Sequence, residues 1–185
     1  MVGLKVLNSP ARYYDFERRS HLPLETYSLW QVIQGIVRAV TWREDGSLIV
    51  LGIFGPGDLV GRPLCGADPY QLECLTAVSA LQCPTDQWPD LIKGLIAHAR
   101  QSNQLLEIVQ CRRTNVALEQ MLHWLSKRFG QETEGGTLID IQLTHQDLAE
   151  LIGATRVTVT KLLNDFEKQG IITRNAARRR ILIRK

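Results

Sequence analysis

Nowhere in the 185 residues do 18 apolar side chains follow one another, so no membrane-spanning helix is expected. The opening MVGLKVLNSPARYYDFERRS has no apolar centre of the kind a secretory leader needs, which points to a cytoplasmic protein with no membrane partner. Cysteine is scarce: Cys65, Cys74 and Cys83 lie nine apart, Cys111 stands alone, and no C-x-x-C pair occurs. Neither a metal site nor a disulfide framework is expected from that spacing in a reducing compartment. The thiols read as small apolar core residues, and a thiol switch would depend on exposure and pKa. The four histidines (21, 98, 123 and 145) are scattered and join no nucleophile–base or paired-carboxylate motif, so catalysis is not expected. An apolar share of 44% fits a globular chain that holds one good core or two modest domains.

What the sequence does contain is concentrated in residues 143–172, LTHQDLAELIGATRVTVTKLLNDFEKQGII. Thr144 is a helix N-cap, and Asp147 brings a carboxylate to the free amides of the first turn. Leu148, Ala149 and Ile152 line one face, and Gly153 supplies the left-handed residue that ends the helix. Thr155 can cap a second helix in which Val159, Leu162, Leu163 and Phe166 fall at i, i+3, i+4 and i+7 and bury one side. Arg156, Val157, Thr160 and Lys161 share another face, expected in solvent. This is the pattern of a helix-turn-helix, whose second helix reads base edges in the DNA major groove.

A plain helical hairpin inside a core would need no charge on its second helix. Residues 143–185 carry nine Lys/Arg and four Asp/Glu, a net +5, which leaves −2 for residues 1–142 of a chain at +3. The basic end therefore sits on the hairpin, as expected for a nucleic-acid-binding protein. The base-reading set is Arg156, Val157, Thr160 and Lys161. Phosphate contacts are assigned to Thr144, His145, Gln146, Thr155, Thr158, Arg178, Arg179 and Arg180.

Upstream, Leu29–Cys83 reads as short strands broken by turns. Trp30–Val40 is β-rich around Gly35, Glu44-Asp45-Gly46-Ser47 is a hairpin turn, and Leu48–Phe54 returns as a buried strand. Gly55-Pro56-Gly57-Asp58 turns again before Leu59-Val60-Gly61, and Leu75–Cys83 is expected as one further strand. Antiparallel strands at this spacing make a small barrel or roll.

The stretch TRVTVTKLL resembles the recognition helix of the cyclic-AMP-receptor/FNR (Crp/Fnr) family of bacterial transcription regulators, most closely their nitrogen-control branch. Val-x-x-Gly at Gly35, the Asp-Gly hairpin and Phe54-x-x-Gly57-Asp58-x-x-Gly61 keep the order and spacing of that family's β-roll. The resemblance covers about residues 27–185; the first 26 match poorly, so the first strands of the roll are expected to be shortened or rearranged. It implies an α+β fold: an N-terminal antiparallel β-roll resembling cyclic-nucleotide-binding domains, a long dimerisation helix and a C-terminal winged helix-turn-helix.

Where relatives that bind cyclic AMP carry Gly-Glu-Leu, this chain has Gly61-Arg62-Pro63-Leu64, and their phosphate-holding Arg-Ser falls here on Gln71-Leu72. Without those charged partners cyclic AMP is not expected. The nitrogen-control branch also places an Arg near position 71, so 2-oxoglutarate is not supported either. The N-terminal cysteine cluster of the iron–sulfur members is absent as well, so no cluster is expected. Arg62 either serves an anion from across the pocket or points to solvent. The candidate pocket set is Gly61, Arg62, Leu64, Gln71, Leu72, Ser102 and Asn103, with no effector identified.

Beyond Pro84 and Pro89 helical periodicity begins. Leu95, Ala99, Ser102, Leu106 and Val109 form a heptad seam suited to pairing two copies, while Leu91, Ile92, Ile96 and Leu105 are expected against the chain's own roll. Thr114 or Asn115 can cap a helix over Val116–Phe129 with Leu118, Met121, Leu122 and Leu125 inward. Gly135-Gly136 then turns into a strand at Leu138–Leu143, and Ile171–Arg174 with Arg179–Arg184 form a basic wing. The expected division is a sensor roll over residues 1–88, a dimerisation helix and hinge over 89–114, and a DNA-binding domain over 115–185. The expected protein is a homodimeric regulator that binds inverted-repeat DNA half-sites and contacts RNA polymerase. The alternative is a dimeric ligand- or thiol-sensing module that acts on a protein partner.

Overall fold

A computed structural model describes residues 12–175 and 180–184. It divides into two compact units, Met1–Arg38 with Phe54–His98, and Ala39–Ile53 with Ala99–Lys185. Among the described residues no helix is long and apolar enough to cross a membrane.

The first unit is built on an antiparallel sheet of β1 (Tyr13–Phe16), β7 (Val78–Pro84), β2 (Ser28–Gln34) and β5 (Leu59–Val60), in that order. Its core holds Leu29, Trp30, Val32, Leu59, Val60, Val78 and Ala80. Tyr14 and Phe16 meet the Trp30 ring edge-on at 5.3 and 5.5 Å, a favoured aromatic arrangement. In the segment expected to be shortened, β1 pairs with β7 from Tyr13↔Leu81 to Phe16↔Val78. Gly35 is obligatory: its φ is 86°, and a Cβ there would lie 2.1 Å from the Ala77 carbonyl oxygen. The Gly57-Asp58 signature is a turn device. Gly57 takes φ 88°, and the Asp58 carboxylate accepts from the Gly55 amide at 2.7 Å.

Between Trp30 and Phe54 the chain forms β2, β3 (Val37–Trp42) and β4 (Leu48–Phe54), with Gly46 at φ 78° in the turn before β4. The strand expected at Leu75–Cys83 is β7, which begins only at Val78, and a further strand that was not expected, β6 (Gln71–Cys74), precedes it. The break between them is set by a contact distant in sequence. The Ile36 amide donates to the Thr76 hydroxyl at 2.9 Å and the Leu75 amide to the Ile36 carbonyl at 2.9 Å, which holds this turn against Gly35. Cys74 and Cys83 are buried, and burial pushes both thiols up, in keeping with an apolar packing role.

Short 3-10 turns at Thr85–Leu91 lead into α1 (Ile92–Val109). At Gly94 a Cβ would come within 2.7 Å of the Leu59 side chain. One turn on, His98 Nδ1 donates to the Leu59 carbonyl at 3.0 Å, and the imidazole stacks on Phe54 at 5.0 Å. Burial holds its pKa below the ordinary value, ahead of the opposing effects of Leu59 and Asp58. The unfolded chain therefore takes up this proton first as pH falls through about 6.5, so stability is full above that pH and declines below it. The melting temperature is expected to drop between pH 7.5 and 5.5, and to drop less in His98→Gln. Equal drops in both proteins would exclude His98 as a source of the decline.

On α1, Leu105 and Ile108 are buried, whereas Leu106 and Val109 are 57% and 40% exposed. Ala99, Ser102 and Asn103 are also exposed, and Leu95 is half-buried. Ile92 and Ile96, expected to pack on the roll, are instead 57% and 49% exposed. Ile96 stands one turn before Ala99, so both isoleucines widen the apolar stripe opposite Leu105 and Ile108.

In the second unit follow α2 (Thr114–Phe129), β8 (Gly130–Thr133), β9 (Gly136–Ile139), α3 (His145–Ile152), α4 (Arg156–Lys168), β10 (Ile172–Asn175) and β11 (Arg180–Arg184). The sheet order is β10-β11-β9-β8, all antiparallel. Leu118, Met121, Leu122 and Leu125 of α2 point inward as expected and share the core with Leu148, Leu151, Val159, Leu163 and Phe166. The expected cap at Thr114 or Asn115 does not form. The helix already includes Thr114, and Arg113 at its N-cap makes no side-chain capping bond. β8 was not expected because Gly130-Gln131-Glu132-Thr133 is polar; it is an edge strand, supported by β9 alone. Of the expected basic wing, Arg178 and Arg179 lie outside the described residues.

Candidate nucleic-acid interface

Local chemistry sets the angle between α3 and α4. The Thr144 hydroxyl accepts from the Asp147 amide at 3.0 Å, and the Asp147 carboxylate accepts from the Thr144 amide at 2.7 Å, a complete capping box. Gly153 ends α3 at φ 66°, ψ 31°, the left-handed conformation in which a side chain would be strained. Two residues on, the Thr155 hydroxyl caps α4 by accepting from the Thr158 amide at 3.2 Å. Each cap contributes roughly 1 kcal/mol. The two helices then bury Leu148, Ala149, Leu151, Val159 and Leu163 between them and α2.

This packing leaves Arg156, Val157 and Lys161 exposed at the start of α4, with Val157 64% accessible. An isopropyl group so far out contributes little to the core. Thr160, expected in solvent with them, is half-buried and bonded inward. Its hydroxyl donates to the Arg156 carbonyl at 2.8 Å and lies 2.8 Å from His145 Nδ1. With the hydroxyl proton given to the carbonyl, His145 Nδ1 must be the donor, and Nε2 is turned away from that bond. Burial, then Arg174 and Arg156, holds the His145 pKa below its ordinary value, so the free protein carries it neutral at pH 7.

Thr144, His145, Gln146, Arg156, Arg174 and Arg180 line a cleft of about 570 Å³ between the start of α3, α4 and the wing strands. The expected phosphate residues Thr144, His145, Gln146 and Arg180 thus come together beside Arg156, the expected base reader, while Thr155 and Thr158 stand at the start of α4. Not all are free to act. The Thr144 hydroxyl is held by Asp147, Gln146 reaches Glu150 at 2.9 Å, and Arg180 pairs with Asp140 at 2.6 Å. Arg174 was missed by sequence reasoning. It sits on β10, and its guanidinium bonds Glu167 at 2.6 Å and Asn164 at 2.7 Å, both on α4. The signal was a basic residue near the end of a short strand that follows an acidic helix end, too common a pattern to single out.

In the roll, Leu72 is fully buried and Gln71 exposed, on opposite faces of β6. Gly61 is packed so that a Cβ would meet Leu29 and the Ser28 carbonyl at 3.1 and 3.2 Å, and Leu64 is half-buried. Arg62 is half-buried, and its guanidinium donates to the Ala67 carbonyl of its own loop. Ser102 and Asn103 are exposed on α1.

A family profile described as a Crp-like helix-turn-helix domain matches residues 118–185. The regulatory protein CysR of Synechococcus elongatus is 44% identical over 160 residues, 85% of this chain and 77% of that protein. The chain belongs to the Crp/Fnr family. A global nitrogen regulator of the same organism is 35% identical over 184 residues, covering 88% of this chain and 82% of its own. Among solved structures, TTHB099, a CRP-family transcriptional regulator from Thermus thermophilus, shares the fold at TM-score 0.78 and 22% identity. That match covers 93% of this chain and 92% of the other. As a Crp/Fnr protein the chain is a DNA-binding transcription regulator and not an enzyme, and the nitrogen-control likeness of its recognition helix agrees with these relatives.

Proposed function

We propose that this Crp/Fnr regulator acts in the cytoplasm as a homodimer on inverted-repeat DNA, without using cyclic AMP. The observation that carries the reading is the recognition face: a doubly capped helix presents Arg156, Val157 and Lys161 to solvent beside a basic cleft. Thr160 contributes by holding His145 rather than by reaching a base. The phosphate set is Thr144, His145, Gln146, Thr155, Thr158, Arg178, Arg179 and Arg180, in which Thr144, Gln146 and Arg180 must first give up their bonds to Asp147, Glu150 and Asp140. The exposed stripe of Ile92, Ile96, Ala99, Leu106 and Val109 is the kind of apolar surface that pairs two copies, with Leu95 and Ser102 within it. Residues 1–88 then serve as sensor, 89–114 as dimerisation helix and hinge, and 115–185 as DNA reader. RNA polymerase is the partner through which bound DNA would be read out. Against cyclic AMP stand the buried Leu72 where its phosphate would be held and the Arg62 guanidinium closed on Ala67.

Selection from randomised duplexes is expected to return inverted repeats with half-site centres about 10 bp apart. Affinity should fall steeply between 50 and 200 mM salt and stay unchanged with millimolar cyclic AMP. Recovery of single half-sites only, or tighter binding with cyclic AMP, would overturn this reading.

A further inference from the structure

Arg174 and Asn164 form an arrangement that none of the assignments above uses. Arg174 leaves β10 and donates to Asn164 Oδ1 at 2.7 Å, while Glu167 takes the same guanidinium at 2.6 and 3.1 Å and the Arg174 amide at 3.1 Å. A guanidinium has only donors, so the Asn164 carbonyl oxygen must face it, and the amide NH2 must point the other way. Asn164 is exposed, and among the described residues its nitrogen has no partner. The Glu167 carboxylate is held below its ordinary range first by the Arg174 side chain, so the pair is ionised and the charge of Arg174 is already met. Arg174 thus works as a clamp between wing strand and recognition helix, and what it delivers outward is a fixed, neutral, donor-only group.

The place of that group decides its target. At about 100° per residue Asn164 projects between Arg156, Val157, Thr160 and Lys161 and so shares their face. It stands eight residues beyond Arg156, roughly 12 Å along the axis, which is about the width of the major groove. With the N-terminal end of the helix at the bases, this turn arrives at the groove wall, where only phosphate oxygens, which accept and never donate, are within reach.

We propose that Asn164 is a DNA phosphate contact whose amide is aimed by Arg174 as positioning residue. This rests on the DNA-reading face described above. The test compares wild type, Asn164→Ala, Asn164→Asp and Arg174→Leu for affinity on a selected operator and on a non-specific duplex. Melting temperature reports whether each variant is folded. Asn164→Ala should bind both duplexes about 3- to 10-fold more weakly with unchanged base preferences, because one hydrogen bond is lost. Asn164→Asp keeps the oxygen that Arg174 holds but turns a carboxylate to the phosphate, so its loss should exceed that of Ala. In an Arg174→Leu background, where the amide is free to rotate, Asn164→Ala should cost less than it does alone. Wild-type affinity in Asn164→Ala overturns the proposal, as does a changed base preference, which would place the amide on a base edge. Either result leaves the DNA reading standing; only a wild-type protein that fails to bind DNA would remove both.

Discussion

Leu106→Glu is expected to convert the protein from dimer to monomer and to lower operator affinity about 100-fold or more. Leu106 is 57% exposed, so a charge there does not disturb the fold of one chain, while Leu105 and Ile108 keep α1 seated on its opposite side. Across a twofold seam two such carboxylates would meet each other beside the apolar Val109 of the same stripe, a burial no partner offsets. Separating the subunits removes the gain from binding two linked half-sites, typically about 10²- to 10⁴-fold. Sedimentation equilibrium gives the oligomeric state, and gel shift on a full and a half operator gives the affinity. The affinity on the half operator should barely change. A variant that still sediments as a dimer shows that the stripe is not the interface.

The parts of this molecule written in short-range chemistry are legible in the sequence alone. The Thr144–Asp147 capping box, the Gly153 corner and the Thr155 cap each lie within four residues of chain, and each forms as the pattern predicts. Gly35, Gly46 and Gly57 likewise take positive φ at the turns expected of them. What escapes is decided by neighbours far away in sequence. The break between β6 and β7 depends on Thr76 meeting Ile36 across 40 positions. The retreat of Thr160 from the solvent face depends on His145 from the preceding helix. Arg174 gains meaning only when β10 folds against α4. Ile92 and Ile96 are ambiguous for another reason: residues three and four apart on one helix border both a seam and its flank, and periodicity alone does not tell which side faces the roll.

Arg156 and Val157, the first two of the expected base readers, are adjacent, exposed and chemically opposite. Arg156 opens α4 with a guanidinium that can donate twice to guanine O6 and N7, the commonest specific contact of this side chain. In the cyclic-AMP-receptor branch of the family, unlike the nitrogen-control branch that this helix resembles, the next residue is Glu, which can accept from a cytosine amino group. Here the isopropyl group of Val157 has no acceptor but can pack against a thymine methyl. The selected half-site should therefore hold a G under Arg156 and an A·T pair at the neighbouring step. Arg156→Ala should cost about 1–3 kcal/mol per half-site and relax the G position. It should leave the melting temperature nearly unchanged, since no hydrogen bond of that guanidinium supports the fold among the described residues. Val157→Glu should shift the neighbouring preference toward C while non-specific affinity changes little. Selection on randomised half-sites with all three proteins reads both effects at once. Identical base preferences in wild type and Val157→Glu would show that this side chain stops short of the bases and that the recognition helix sits higher in the groove than its exposed face implies.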